Sequence, residues 1–367
     1  MGTANTMQML GEVLNLVLPG TSTIPASDNA KLRKAREAGM YMVEMAKAGR
    51  KPSDLITKEV LMNAIMFDMA VAGSTNAVLH ILSYAYELGI KLTLEDFEKY
   101  AEEIPCINAV VPSGPYTVVD FHYAGGVMNV MKMLESKLYT NVPSMYGNTW
   151  ADMLSKVKAQ ENKVIHSLEK PLFHEPGLKI LRGNLSPNGA IVRPTAVYDE
   201  VKYMKGKAKV FEGDRPAFEA IMAGEIVPGD IIVIRYEGCK GAPGMKELML
   251  SIDALIGLGL DKSVGLISDA RFSGFNYGAI IGHVSPEAYD GGNIALVENG
   301  DEIVIDIPNG EVSMLVSEEE LERRRAAWVC PPLKEEKGCL NIFAKMCRPA
   351  EEGGAMQPWD LNAKFKR

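Results

Sequence analysis

The hydrophobic period changes once along this 367-residue chain, and that change limits it to a helix-rich part followed by a sheet-rich part. Up to about residue 165, apolar residues recur at helical spacing. Met7, Leu10, Val13, Leu14 and Leu16 to Leu18 make one such face, closed by Pro19-Gly20. The spacing predicts helices over 7–18, 30–48, 57–70, 77–88 and 93–100. That over 30–48 is amphipathic through Leu32, Ala35, Ala38, Met42, Met45 and Ala46, with Gly49 as its stop. Gly73-Ser-Thr-Asn76 interrupts the period and stands at a helix start, and short β-prone pieces at 108–111 and 116–119 surround Pro112-Ser-Gly-Pro115.

Between 166 and 190, Pro171, Pro176, Gly177, Gly183, Pro187, Asn188 and Gly189 accumulate without a period, which places a domain boundary near 170. Beyond it, strands are expected at 190–192, 208–211, 230–236, 264–267, 294–297 and 302–307. Helices are expected at 215–223 and 245–258. The fold class is α/β, an α-rich domain over 1–170 followed by a β-rich α/β domain over 171–367. Residues 318–328 read as a charged helix, and the stretch after Gly353 reads as lying loosely on the surface or on another subunit.

The 39 basic residues are dispersed among 47 acidic ones for a net charge of −8, so no basic stripe offers itself to nucleic acid. The apolar stretch Val60 to Ala72 is broken by Asn63 and Asp68, short of the roughly 20 apolar residues a spanning helix needs, so no membrane partner is expected. The first Lys is Lys31, after Glu12 and Pro19, which is not the order of a signal peptide and reads as cytoplasmic. Five widely spaced cysteines fit free thiols better than a disulfide framework. Cys330, Cys339 and Cys347 lack the CxxC spacing of a metal site and read as packing or surface thiols.

Asp230 to Glu247 reads as a buried strand, a Gly-rich loop and a helix with Glu247 near its start, where open α/β sheets bind ligands. The ordinary role of a Glu there is first-turn helix electrostatics. The strand Val264 to Ile267 runs into the polar loop Ser268 to Gly278. Ser273 there could act as nucleophile or base, although a Ser-Gly in a loop is commonly a turn residue and no GxSxG elbow is present. The five histidines form no HxxxH or HxH pair. His80 and His283 could approach a cleft, and a hydrogen-bonded structural role is the default for each.

Gly2-Thr-Ala-Asn-Thr-Met7, Leu18-Pro-Gly20, Ala72-Gly-Ser-Thr-Asn-Ala-Val-Leu-His80, Asn188-Gly-Ala-Ile-Val-Arg-Pro194, Arg235-Tyr-Glu-Gly238, Gly241-Ala-Pro-Gly-Met245, Asp269-Ala-Arg-Phe-Ser-Gly274 and Gly282-His-Val-Ser-Pro-Glu-Ala288 resemble the dihydroxy-acid and sugar-acid dehydratase family, in that family's order. The resemblance implies a swivelling, barrel-like C-terminal domain after a partial N-terminal one. It also implies removal of water from a 2,3-dihydroxy carboxylate to give a 2-keto acid, with an iron-sulfur cluster and Mg2+. By the same resemblance Ser273 is the alkoxide base that takes the C2 proton and Glu247 is a magnesium ligand. Ser74, Thr75, Asn76, His80, Arg271 and Gly274 are carried over as substrate-binding candidates. A serine hydroxyl is too weak an acid to serve as a base without a neighbouring cation, which makes the pairing with a metal chemically sensible.

Departures shape the expectation. Cys239 stands where proline is usual, Ala242 and Ala270 where glycine is usual, and Phe275-Asn276 where Gly-Thr or Ala-Ser is most often found. The Arg-Phe-Ser-Gly spelling resembles the branched-chain enzymes more than the phosphogluconate ones. The family's cluster cysteines, magnesium-binding aspartates and modified lysine precede the Gly-Thr-Ala-Asn-Thr-Met element, with which this chain begins. The chain is therefore expected to be roughly the C-terminal two-thirds of such an enzyme, truncated or part of a split one, without cluster ligands and inactive alone. Exposed apolar surface on the helices at 7–18 and 58–88, homo-oligomerisation and a separate N-terminal subunit are expected with it. The rival expectations are a non-catalytic binding or regulatory module, and a metal-free acid-base enzyme using His80 or His283.

Overall fold

A computed structural model describes residues 1–357. The helix Lys58–Val71 is the axis of the first half, and every residue from Val60 to Val71 is buried. A helix buried on all sides has to be surrounded, and Thr3–Val13, Asn76–Glu87, Leu94–Glu103 and Gly126–Met133 surround it in one continuous core. The Thr57 side chain caps its first turn by accepting from Val60 N, and Ala72, at φ 47°, turns the chain out of its end.

The first helix runs over Thr3–Val13 rather than 7–18. Asn15 takes φ 61° and spends its side chain on Leu55 O, Pro143 O and Met145 N, while buried Glu12 accepts from the backbone of Gly20, Thr21 and Ser22. These polar ties turn Leu16 to Leu18 into a loop. The β-prone pieces yield only the isolated bridges Asn108↔Ile165 and Val110↔Tyr116, and Val118–Tyr123 is a helix capped reciprocally by Thr117 and Asp120. The helix Asn29–Lys47 forms as expected but buries only Met45, leaving Leu32, Met40, Met42 and Val43 exposed. The exposed apolar face thus lies there, whereas Lys58–Val71 and most of Asn76–Glu87 are covered.

The second half contributes β1 (Lys179–Leu181), β2 (Gly189–Val192), β3 (Tyr203–Phe211), β4 (Asp230–Ile234), β5 (Glu247–Leu248), β6 (Gly265–Ser268), β7 (Arg271–Phe272), β8 (Ile280–Ser285), β9 (Glu302–Asp306) and β10 (Glu311–Met314). Eight of them form one sheet in the order β1-β2-β8-β6-β4-β3-β9-β10. The pairs β3·β4, β4·β6 and β6·β8 are parallel and the outer pairs antiparallel. Arg182, just past β1, donates to Gly310 O before β10 and accepts from Val312 N within it, so the sheet is a nearly closed barrel. β4 and β6 are buried on both faces, which is why they read as unbroken apolar runs. One core fills the barrel, and a second packs the helices Asp214–Met222 and Leu250–Gly257 against its outside.

Four expectations are corrected here. Residues 294–297 fall largely in a 3-10 turn, Asn293–Leu296, not a strand. The helix expected over 245–258 begins only at Leu250, because Met245 adopts φ 53° and Glu247–Leu248 is drawn into parallel pairing with Arg271–Phe272. The strand at 230–236 stops at Ile234, before the left-handed Tyr236 at φ 63°. Gly353 packs on the backbone of Leu82 and Ser83, and Met356 bridges Cys347, so residues 353–357 are not loose. The remainder of that tail lies outside the described residues.

Gly177 docks the two halves. A Cβ on it would lie 2.4 Å from both Ala72 Cα and Met69 O, at the end of the axial helix. Only a residue without a side chain lets the chain pass that close on its way into β1.

Candidate functional site

The Gly73 to Asn76 turn leads from the axial helix into Asn76–Glu87, and its Asn76 side chain reaches across to the barrel. Ser74 N donates to Thr6 Oγ1 at 3.0 Å, and Ser74 Oγ lies 3.0 Å from Thr3 Oγ1. Asn76 Nδ2 donates to Glu247 Oε1 at 2.6 Å, to Thr3 Oγ1 at 2.7 Å and to Phe272 O at 3.2 Å. Thr3 Oγ1 donates to the same Glu247 oxygen at 3.2 Å. Three candidates expected from the sequence, Ser74, Asn76 and Glu247, therefore meet around Thr3, which sequence reasoning missed. Thr75 is buried, its hydroxyl without a hydrogen-bond partner among the described residues.

Glu247 is positioned by strand pairing rather than by a helix start. β5 lies parallel to β7 with Glu247 opposite Arg271, and Arg271 donates through Nε to Met245 O at 2.5 Å. The helix-terminus role is thereby removed for Glu247, since its neighbours are the amide of Asn76, the hydroxyl of Thr3 and the Arg271 guanidinium. Burial lowers the pKa of Arg271, and the charge of Glu247 opposes that shift.

Ser273 follows β7 directly, is half-buried, and accepts from Phe275 N at 3.3 Å. Its neighbour Gly274 lies under Met1, where a Cβ would come within 2.6 Å of Met1 O. Phe275, exposed, extends the loop into a cleft of about 640 Å3 that Asn5, Ser22, Thr23 and Val111 also line.

The histidines are not joined to these groups. His80 borders a separate cavity of about 420 Å3 with Met7, Ser83, Tyr84 and Glu87, and burial, then the charge of Arg271, lowers its pKa. His283 sits at φ 56°, wholly buried, and is held down to about 3 by burial, then by Arg271 and His80. Its ring is neutral at neutral pH. Among the described residues neither histidine hydrogen-bonds Ser273 or Glu247.

Among the described residues, no three His, Cys, Asp or Glu side chains gather to hold a metal ion. Glu247 offers a single carboxylate whose Oε1 already accepts from Asn76 and Thr3, one ligand where Mg2+ takes six oxygens. Burial pushes the thiols of Cys106 and Cys347 up to about 12 and holds that of Cys239 well above its ordinary value, and among the described residues no three cysteines gather at one point to hold a cluster. These residues by themselves do not fit a cluster or a complete magnesium shell.

Comparison with known proteins bears directly on this arrangement. Residues 1–153 match the family model described as dihydroxy-acid/6-phosphogluconate dehydratase N-terminal, and residues 163–354 match its C-terminal counterpart. Proteins named dihydroxy-acid dehydratase are similar over 97% of this chain, at 44% identity in Clostridium novyi and 45% in Ignicoccus hospitalis. One from Methanococcus aeolicus is 41% identical over the same share. The chain spans about 65% of the length of the first two relatives and 64% of the third. With both family models matched in order across its helical and barrel halves, this chain belongs to the dihydroxy-acid/6-phosphogluconate dehydratase family.

Proposed function

We propose that this chain is the base-bearing and substrate-contacting part of a cytoplasmic, homo-oligomeric hydro-lyase that converts a 2,3-dihydroxy carboxylate to a 2-keto acid. Residues 1–170 and 171–367 would be its two domains. The observation that carries the reading is the meeting of Ser74, Asn76 and Glu247 around Thr3, with Thr3 and Asn76 both donating to Glu247, on the strand paired with the one that delivers Ser273. Residues from both halves of the chain build one polar centre beside a cleft, as a site for a small polyhydroxy acid requires.

In this reading the Ser273 oxygen, as the alkoxide, takes the C2 proton, the C3–O bond breaks with its electron pair on oxygen, the departing hydroxide takes up the proton that Ser273 received and leaves as water, and the resulting enol tautomerises to the ketone. Asn76 and Thr3 hold the Glu247 carboxylate, and Ser74, against Thr3, would hold a substrate hydroxyl. Arg271 supplies positive charge, and Thr75 and Gly274 shape the wall, whereas His80, on a separate cavity, takes no part. The described residues do not by themselves bring together the ligands for the cluster and Mg2+ that the resemblance implies.

The test is to co-express the chain with the N-terminal third of a curated relative, purify anaerobically and measure 2-keto acid formation from 2,3-dihydroxy carboxylates. Turnover is expected in the pair and is expected to fall by about 10²- to 10⁴-fold in Ser273→Ala, the range for loss of a positioned base. Turnover that survives Ser273→Ala overturns the mechanism. A pair that neither turns over nor binds the substrate overturns the function in favour of a non-catalytic module.

A further inference from the structure

The element Asn188 to Pro194 has no part in the chemistry above, yet it carries the most deeply placed cation near the site. Arg193, just past β2, is only 3% exposed. Its Nε and Nη2 donate to Gly73 O at 3.1 and 2.6 Å, and its Nη1 donates to Gly274 O at 2.5 Å. One planar fork thus joins the residue before Ser74 to the residue after Ser273. No carboxylate shares those donors: the buried Asp68 carboxyl, packed under Gly73, has both oxygens without a hydrogen-bond partner among the described residues.

We propose that Arg193 is a positioning residue, a guanidinium tether that fixes the Ser273–Gly274 loop of the barrel against the Gly73–Asn76 turn of the helical half. Burying a guanidinium with only carbonyl acceptors is expensive, and a chain does so where the fork geometry itself is needed. A lysine at this position carries the charge but not the fork, because one ammonium cannot present coplanar donors to Gly73 O and Gly274 O. The importance of the tether for catalysis rests on Ser273 being the base, whereas the tether itself does not.

The experiment is hydrogen exchange on the intact 367-residue chain. Arg193→Ala is expected to speed exchange at Ser74 and Asn76 and at Phe275 and Gly278 together, each by about tenfold or more. Low-millimolar guanidinium should restore protection at both segments, while methylammonium at equal concentration should not. Arg193→Lys keeps a buried cation in case the alanine variant does not fold, and it should leave at least one of the two segments unprotected. The tether is overturned if the segments loosen independently, if methylammonium rescues as well as guanidinium, or if Arg193→Lys protects both segments like the wild type. None of these readouts depends on turnover, so failure of the tether and failure of the proposed chemistry are separately visible.

Discussion

Asn76 offers the sharpest test of the site geometry, because its amide is wholly buried and spends its donors on Glu247, Thr3 and Phe272 O. Asn76→Ala removes a hydrogen bond to a carboxylate, worth about 1.5–3 kcal/mol, and leaves Phe272 O without that donor. The Asn76 Oδ1 atom has no hydrogen-bond partner among the described residues, so its deletion returns part of that cost. The net expectation is a loss of about 1–3 kcal/mol, read as a lower urea midpoint at unchanged slope. Asn76→Asp is the informative partner, since it puts a second carboxyl against the Glu247 oxygen that lies 2.6 Å from the amide. Two carboxylates relaxed to about 4 Å repel by about 4 kcal/mol at an effective dielectric of 20.

One proton shared between them relieves the repulsion, so one carboxyl titrates above its unfolded value. A raised folded pKa gives stability that is present at low pH and lost as pH rises through it. The aspartate variant should therefore approach the alanine variant in stability at pH 5 and fall below it at pH 8, in parallel denaturations. Equal stabilities at both pH values would refute the contact between Asn76 and Glu247, and with it the geometry of the site.

Gly177→Ala should destabilise by about 1–3 kcal/mol, because the added methyl meets backbone at 2.4 Å rather than a side chain able to rotate away; a thermal scan with no shift would refute the close docking. Burial, and secondarily the charge of Asp269, holds the Glu287 carboxyl up at about 8 against an ordinary value of 4.5. Its contribution is thus complete below about 4.5 and is lost as pH rises through 8, by at most about 1.4 kcal/mol per pH unit, and Glu287→Gln should flatten the stability profile across that window. The chain purified anaerobically is expected to carry far less than stoichiometric iron and acid-labile sulfide, by elemental and colorimetric assay. Stoichiometric amounts would mean that Cys106, Cys239, Cys330, Cys339 or Cys347 ligates a cluster.

What was legible in the sequence is what local pattern determines. The axial helix announces itself by Thr57 before an apolar run, and β4 and β6 by short unbroken apolar runs bounded by turns. β8 escaped because Gly282 and His283 interrupt its pattern, and His283 takes a left-handed φ that a period of two does not encode. The first helix was misplaced at both ends, since its stop is set by Asn15 and Glu12 reaching distant backbone, not by the next proline. Glu247 was read onto a helix because the residues after it favour one; a strand 24 residues further on claims it instead.

The same distinction explains which site residues sequence reasoning found. Ser74, Asn76, Glu247 and Ser273 lie in short polar elements that interrupt apolar runs, and such interruptions are visible in one dimension. Thr3 and Arg193 acquire their roles only through contacts 244 and 120 residues away, to Glu247 and to Gly73 O. Both connect the helical half to the barrel half. The polar centre is therefore a property of docking, and anything that loosens that docking, at Gly177, Asn76 or Arg193, should separate Ser273 from Asn76 before it unfolds either half.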